Sequence, residues 1–273
     1  MPGTTPSPFS GEIPATIALD PPPLVLVLVQ VRFASVASVA RDEFFAPFQQ
    51  ELMGDYPLVG REQELILGPG PQPVPQAAAL WRLTDEDERW RVTLATSFVA
   101  LEARSYPGHG EFFRRLEQVL RAVQLRVRPP RVERLGVRYA CRLEDVADLA
   151  ALPRLVRQEV LGAAALDDAG IHPEVSITQS SFSLGQARLT ARWGLLPANA
   201  VTDPTLPATG RRSWVLDIDV FDEERRPFDA QGLMSAAFDY SRLQYRFFRW
   251  SVEPAFLLRF GANPHEVAAL KAG

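Results

Sequence analysis

Alternation of apolar and polar positions divides the chain into short strands with a few helices between them. The strongest signal is Leu24–Phe33, LVLVLVQVRF, apolar at nearly every position. It predicts a central strand covered on both faces. From Arg41 to Met53, the residues Phe44, Phe45, Phe48 and Leu52 recur at helical spacing and predict an amphipathic helix. Pro47 favours a helix start close by. Strands are expected at Glu62–Leu67, Leu80–Leu83, Trp90–Thr96 and Phe98–Tyr106, with Asp85–Glu88 as an acidic hairpin turn. Glu111–Val123 then carries an apolar stripe of Phe112, Leu116, Val119, Leu120 and Val123, a second amphipathic helix.

After Pro129-Pro130 the pattern begins again. Val132–Leu143 reads as a buried strand, Ala147–Leu161 as a helix in which Pro153 is tolerable only near the first turn or as a kink, and Glu174–Leu184 with Ala187–Leu195 as a hairpin turned at Gly185-Gln186. Pro197–Gly210 is a polar loop. In the strand Arg212–Phe221, Trp214, Leu216, Ile218 and Val220 share one face, and Asp217 and Asp219 the other. Ala230–Val252 is a long helix rich in aromatics, stopped by Pro254. Both halves therefore run strand, helix, strands, helix. Both opening strands contain Val-Arg-aromatic, as Val31-Arg32-Phe33 and Val137-Arg138-Tyr139.

This order predicts an α+β fold of two β-α-β-β-β-α repeats. Their antiparallel sheet or sheets would be curved, with the helices packed on one side and the long helix as the main plug of the core. A TATA-binding-protein-like saddle and paired helix-grip units both fit. The expected divisions are a flexible or extended leader at 1–20, repeats at 21–128 and 131–262 forming one compact body, and a tail at 263–273.

Composition narrows the function classes. The 273 residues carry a net charge of −4, which disfavours a general binder of nucleic acid or anionic membrane. The basic residues are almost all Arg, and Lys271 is the only lysine. Cys141 is the only cysteine, so no internal disulfide is expected. The longest apolar run, Leu24–Val29, is far shorter than the ~20 residues of a membrane helix. With no signal-peptide pattern at Met1–Ala18, a soluble cytoplasmic protein without a membrane partner is expected.

Pro22-Pro23-Leu24 leads a strand that closes on Arg32-Phe33; Tyr56-Pro57, a strand to Tyr106, Arg134-Leu135-Gly136-Val137-Arg138-Tyr139 and a Phe-bearing terminal helix follow. Over about residues 21 to 260 this pattern resembles a sporadically distributed, uncharacterised bacterial protein family of similar length. The resemblance carries over no catalytic residue. It implies a mobile gene and an accessory subunit of a defence or conflict system. The chain departs from the acidic, His-bearing helix of that pattern, since Asp239-Tyr240-Ser241-Arg242-Leu243-Gln244-Tyr245 stands there.

The candidate chemistry is polar and cross-strand. Arg188, Thr190 and Arg192 share one face of their strand. If that face coincides with the face of Asp217 and Asp219, arginines oppose aspartates, either as ion pairs or as a floor for a charged ligand or partner. An arginine inside an apolar central strand must be paired or reach an edge, which singles out Arg32 and Arg138. The candidate ligand- or partner-binding residues are therefore Arg32, Arg138, Arg188, Arg192, Asp217 and Asp219. No catalytic, metal or cofactor residues are assigned: His109, His172 and His265 lack metal-ligand spacing, and Cys141 reads as a small buried hydrophobe. His109, between two glycines at a helix start, reads first as part of a capping loop and second as a help to anion binding. No phosphate-cradling loop, nucleophile elbow or dinucleotide fingerprint is present.

The leading expectation is a non-catalytic recognition protein with a protein partner or as a homo-oligomer, its contacts made by loops 68–76 and 197–211. The alternatives are a small-molecule binder or enzyme with a pocket between sheet and long helix, and a nucleic-acid binder on the concave sheet.

Overall fold

The computed structural model describes residues 7–67, 75–166 and 173–269. Most of loop 68–76, and His172, lie outside them. The protein is mixed α/β, and its described strands form one open antiparallel sheet: β1 (Leu24–Phe33), β2 (Leu58–Leu67), β3 (Pro75–Thr84), β4 (Trp90–Leu94), β5 (Phe98–Ala103), β6 (Val132–Leu143), β7 (Ser176–Leu184), β8 (Ala187–Leu196) and β9 (Ser213–Asp222). The order across it is β2-β3-β4-β5-β1-β6-β9-β8-β7. The opening strands of the two halves, β1 and β6, are thus central neighbours. Their ends are flanked by backbone bonds from Arg142 N to Pro23 O and from Ala34 N to Arg131 O, both 2.9 Å.

The helices are α1 (Asp42–Leu52), α2 (His109–Ala122), α3 (Val146–Ala150), α4 (Leu152–Leu155), α5 (Gln158–Leu161), α6 (Ala230–Ser251), α7 (Pro254–Arg259) and α8 (Pro264–Ala269). α1 starts at Asp42 despite Pro47 in its interior, and carries Asp42 and Glu43 in its first turn, where carboxylates favour the helix dipole. The single helix expected at Ala147–Leu161 is instead broken into α3, α4 and α5. Pro153 is the cause: it lacks an N–H and its ring would strike the carbonyl of the preceding turn, so the chain restarts with Pro153 in the first turn of α4. Val156 then extends to bridge Val252. The acidic turn after β3 is partly structural, because the Asp85 carboxylate accepts the Trp90 N–H at 2.9 Å.

The chain packs as two compact units that interleave in sequence: 1–26, 138–220 and 239–273 form one, 27–137 and 221–238 the other. In the first, Trp193, Trp214, Leu216, Ile218, Phe247 and Phe256 belong to one buried core. Residues 7–20 have neither helix nor strand yet are held to this unit. Ile17 is buried and its N–H donates to the Tyr245 hydroxyl at 2.8 Å, while the Phe9 ring meets Phe182 and Phe247. In the second unit, Phe45 stacks on Trp81 at 4.1 Å, and Phe48, Phe112 and Leu116 are buried. Not every aromatic of α6 plugs a core: Phe238 is 45% exposed.

Candidate functional site

In the first unit, β6, β8 and β9 carry the polar side chains that alternate with the buried apolar set. Arg138 on β6 meets Asp217 on β9 in a bidentate pair, Nε to Oδ1 at 2.7 Å and Nη2 to Oδ2 at 2.8 Å. Both residues are buried. The third guanidinium nitrogen, Nη1, donates to Thr205 Oγ1 at 2.9 Å and lies 3.4 Å from Asp203. Thr205 in turn donates its hydroxyl and its backbone N–H to Asp203 Oδ1, at 2.6 and 2.9 Å. Burial works against a charged Arg138, but Asp217, and behind it Asp203, outweigh it and hold the guanidinium protonated. Burial likewise pushes the Asp203 carboxyl up, yet the Thr205 donors and Arg138 bring it below its ordinary value.

Arg192 on β8 completes the group. Its Nη1 is 3.8 Å from Asp217 and 3.9 Å from Asp203, and its Nε donates to Gln179 of β7 at 2.7 Å. The arginine and aspartate faces therefore coincide, and Arg138, Arg192 and Asp217 come together. Arg188 is exposed and sits opposite Ser183 in the β7–β8 register; Asp219 is half-buried one step along β9.

Four residues of this site were not among the candidates. Asp203 and Thr205 come from the loop after β8, where an Asp-Pro-Thr turn was visible in sequence but its destination was not. Arg142, two steps beyond Arg138, has a buried side chain whose Nη1 donates to Pro207 O at 2.6 Å and lies 3.6 Å from Glu144. Glu144 also accepts the Thr209 hydroxyl at 3.0 Å. Loop 197–212 is thus tied to the sheet at Asp203, Thr205, Pro207 and Thr209. These ties fix the loop against the sheet, although Arg142 Nε and Nη2 are buried without a hydrogen-bond partner among the described residues.

Arg32 belongs to the second unit and is exposed at the end of β1. It lines a cavity of about 480 Å³ with Phe33, Ser97, Glu133, Arg134, Glu223 and Arg225. The Arg134 guanidinium lies over the Phe221 ring, 4.4 Å from its centroid, and along Gly136, where a Cβ would collide with it. That accounts for the glycine in Arg134–Tyr139: it leaves room for one arginine to lie flat against the strand.

Cys141 is buried and its thiol is pushed up to about 12 by desolvation, which leaves no thiolate near neutral pH. The His109 imidazole stacks on Phe113 at 4.2 Å, and burial lowers its pKa. Among the described residues no group of three or more His, Cys, Asp and Glu is placed to hold a metal ion, and no helix is long and apolar enough to cross a membrane. No protein-family model matches the chain, and no curated protein matches it either.

Proposed function

We propose that the chain is a non-catalytic recognition protein whose contact surface is the polar face of its first unit, made by loop 197–212 and the edge strand β7. The observation that carries this reading is the buried Arg138–Asp217 pair with Asp203 and Thr205. It fixes the loop from below while leaving Val201, Pro204, Thr205 and Pro207 exposed. A contact loop held in one geometry loses less entropy on binding, and loops on rigid scaffolds carry recognition. β7 adds an edge with no charged residue and no proline over nine residues, the kind of edge open to pairing with a partner's strand. The internal duplication is part of this proposal. Its support is the strand order, in which β1 and β6 stand side by side and the later strands of each half extend outward from them. The resemblance described above makes an accessory role in a bacterial defence or conflict system the setting proposed for this recognition.

The test is isolation of the tagged chain from its native host. A protein recovered in fixed stoichiometry, and lost when Val201→Asp is introduced, supports the reading. A chain recovered alone as a monomer contradicts it.

A further inference from the structure

The cavity around Arg32 lies in the second unit, apart from the clamped loop, and its construction is that of a small anion site. Its walls are tied together by backbone. Phe33 N donates to Ser97 O and Ala34 N to Arg131 O, each at 2.9 Å, and Val132 N donates to Arg226 O at 2.8 Å. The turn carrying Arg225 is closed by Arg226, whose Nη1 and Nη2 hold the buried Asp222 carboxylate at 2.6 and 3.0 Å, while Glu224 N donates to Asp222 Oδ1 at 2.9 Å. The segments presenting Arg32, Arg134 and Arg225 are therefore positioned before any ligand arrives.

The charges favour an anion. Three arginines and two glutamates line the cavity, and Glu133 is engaged by Arg131 Nη2 at 2.8 Å. Among the described residues, Arg32 and Arg225 make no side-chain hydrogen bond or ion pair. Arg131 holds the Glu133 carboxyl below its ordinary value, and Arg225 and Arg32 add to that effect. Their positive fields thus overlap at one carboxylate beside the cavity. Arg134 lies flat on Phe221 and adds its charge to the lining, while the exposed guanidinium forks of Arg32 and Arg225 match carboxylate and phosphate oxygens.

We propose that this cavity binds a small, multiply charged oxyanion, a phosphate ester or polycarboxylate, through Arg32 and Arg225, with Arg134 adding positive charge to the lining. Inorganic phosphate, pyrophosphate and citrate, titrated calorimetrically into the full chain at matched ionic strength, serve as probes and separate phosphate from carboxylate preference. At least one should bind with a Kd of about 1 mM or tighter. Arg32→Gln and Arg225→Gln should each weaken it about tenfold, the loss of one charge-assisted hydrogen bond. Both side chains are exposed, so folding is expected to survive, and circular dichroism checks it. Arg121→Gln, on an exposed α2 position of the same unit, should leave binding unchanged. The proposal is overturned if none of the three probes binds, or if Arg121→Gln weakens binding as much as the cavity substitutions do. Binding indifferent to Arg32→Gln and Arg225→Gln overturns it equally.

Discussion

Replacing Asp217 by Asn tests whether the buried ion pair holds loop 197–212. The change keeps the shape of the side chain but removes the charge, and sets an amide N–H₂ against a guanidinium that can only donate. Breaking one partner of a buried pair costs about 3–5 kcal/mol, because the other charge is left uncompensated. Asp203 at 3.4 Å and the Thr205 hydroxyl at 2.9 Å still meet Arg138, which places Asp217→Asn near the lower end, about 3 kcal/mol. Urea denaturation gives the global cost. Because two compact units need not unfold together, residue-resolved hydrogen exchange gives the local one, and protection across 197–212 should fall most. The double substitution Arg138→Met with Asp217→Leu should regain most of the stability, as apolar replacement of buried pairs often does, without restoring loop protection. The exposed control Asp239→Asn should cost less than about 0.5 kcal/mol. A cost for Asp217→Asn below about 0.5 kcal/mol, or unchanged exchange in the loop, refutes the clamp.

Acid should loosen the same loop. The folded-state pKa of Asp203 lies below its unfolded value, so its contribution is present above about pH 4 and is lost as pH falls through the folded value; exchange of 197–212 measured down the acid range should accelerate there first. In α2, Glu111 is held down to about 2, chiefly by its hydrogen bond to Arg114. Its stabilisation should therefore fade between about pH 4.3 and that value. Solvent screening keeps it to about 1 kcal/mol or less, and Glu111→Gln should flatten that part of the acid profile. Gly194 has φ +142 and faces the Ser176 carbonyl where a Cβ would stand, so Gly194→Ala should cost about 3 kcal/mol from strain and overpacking together, measured by denaturation. Cys141 should resist iodoacetamide at pH 8 in native protein and react only when urea unfolds its surroundings, a difference read by mass spectrometry.

Legibility in the sequence followed how local the cause was. β1 and β6 have the residue bounds expected, because prolines precede each of them and a near-continuous apolar run in β1, or apolar positions spread along β6, mark the buried strand between turn residues. The face of Trp214, Leu216, Ile218 and Val220 was legible from alternation alone, and all four side chains are buried. For the helix expected after β6, Pro153 was legible as a first-turn residue or kink; it stands in a first turn, but of a new short helix, because the missing N–H outweighs the apolar spacing that continues through it. At the polar site, alternation placed Asp217 and Arg192 on facing sides but did not name the main partner of Asp217. The main partner, Arg138, sits 79 residues away on a different strand, a pairing that depends on strand order. Asp203 and Thr205 were out of reach for the same reason, since a polar loop does not encode the surface it folds onto. Arg32 and Arg138, likened through their Val-Arg-aromatic motifs, have different surroundings: one is exposed at a cavity and the other is buried in an ion pair with Asp217, a difference that the shared motif does not encode.

The most direct measurement is site-specific photocrosslinking in the native host, with a benzophenone side chain at Val201 on the clamped loop and, as control, at Val146. These residues are 36% and 82% exposed. Recognition through loop 197–212 predicts one discrete adduct from position 201 that is absent from 146 and is lost when Asp217→Asn releases the loop. No adduct from 201, or the same adduct from both positions, contradicts it.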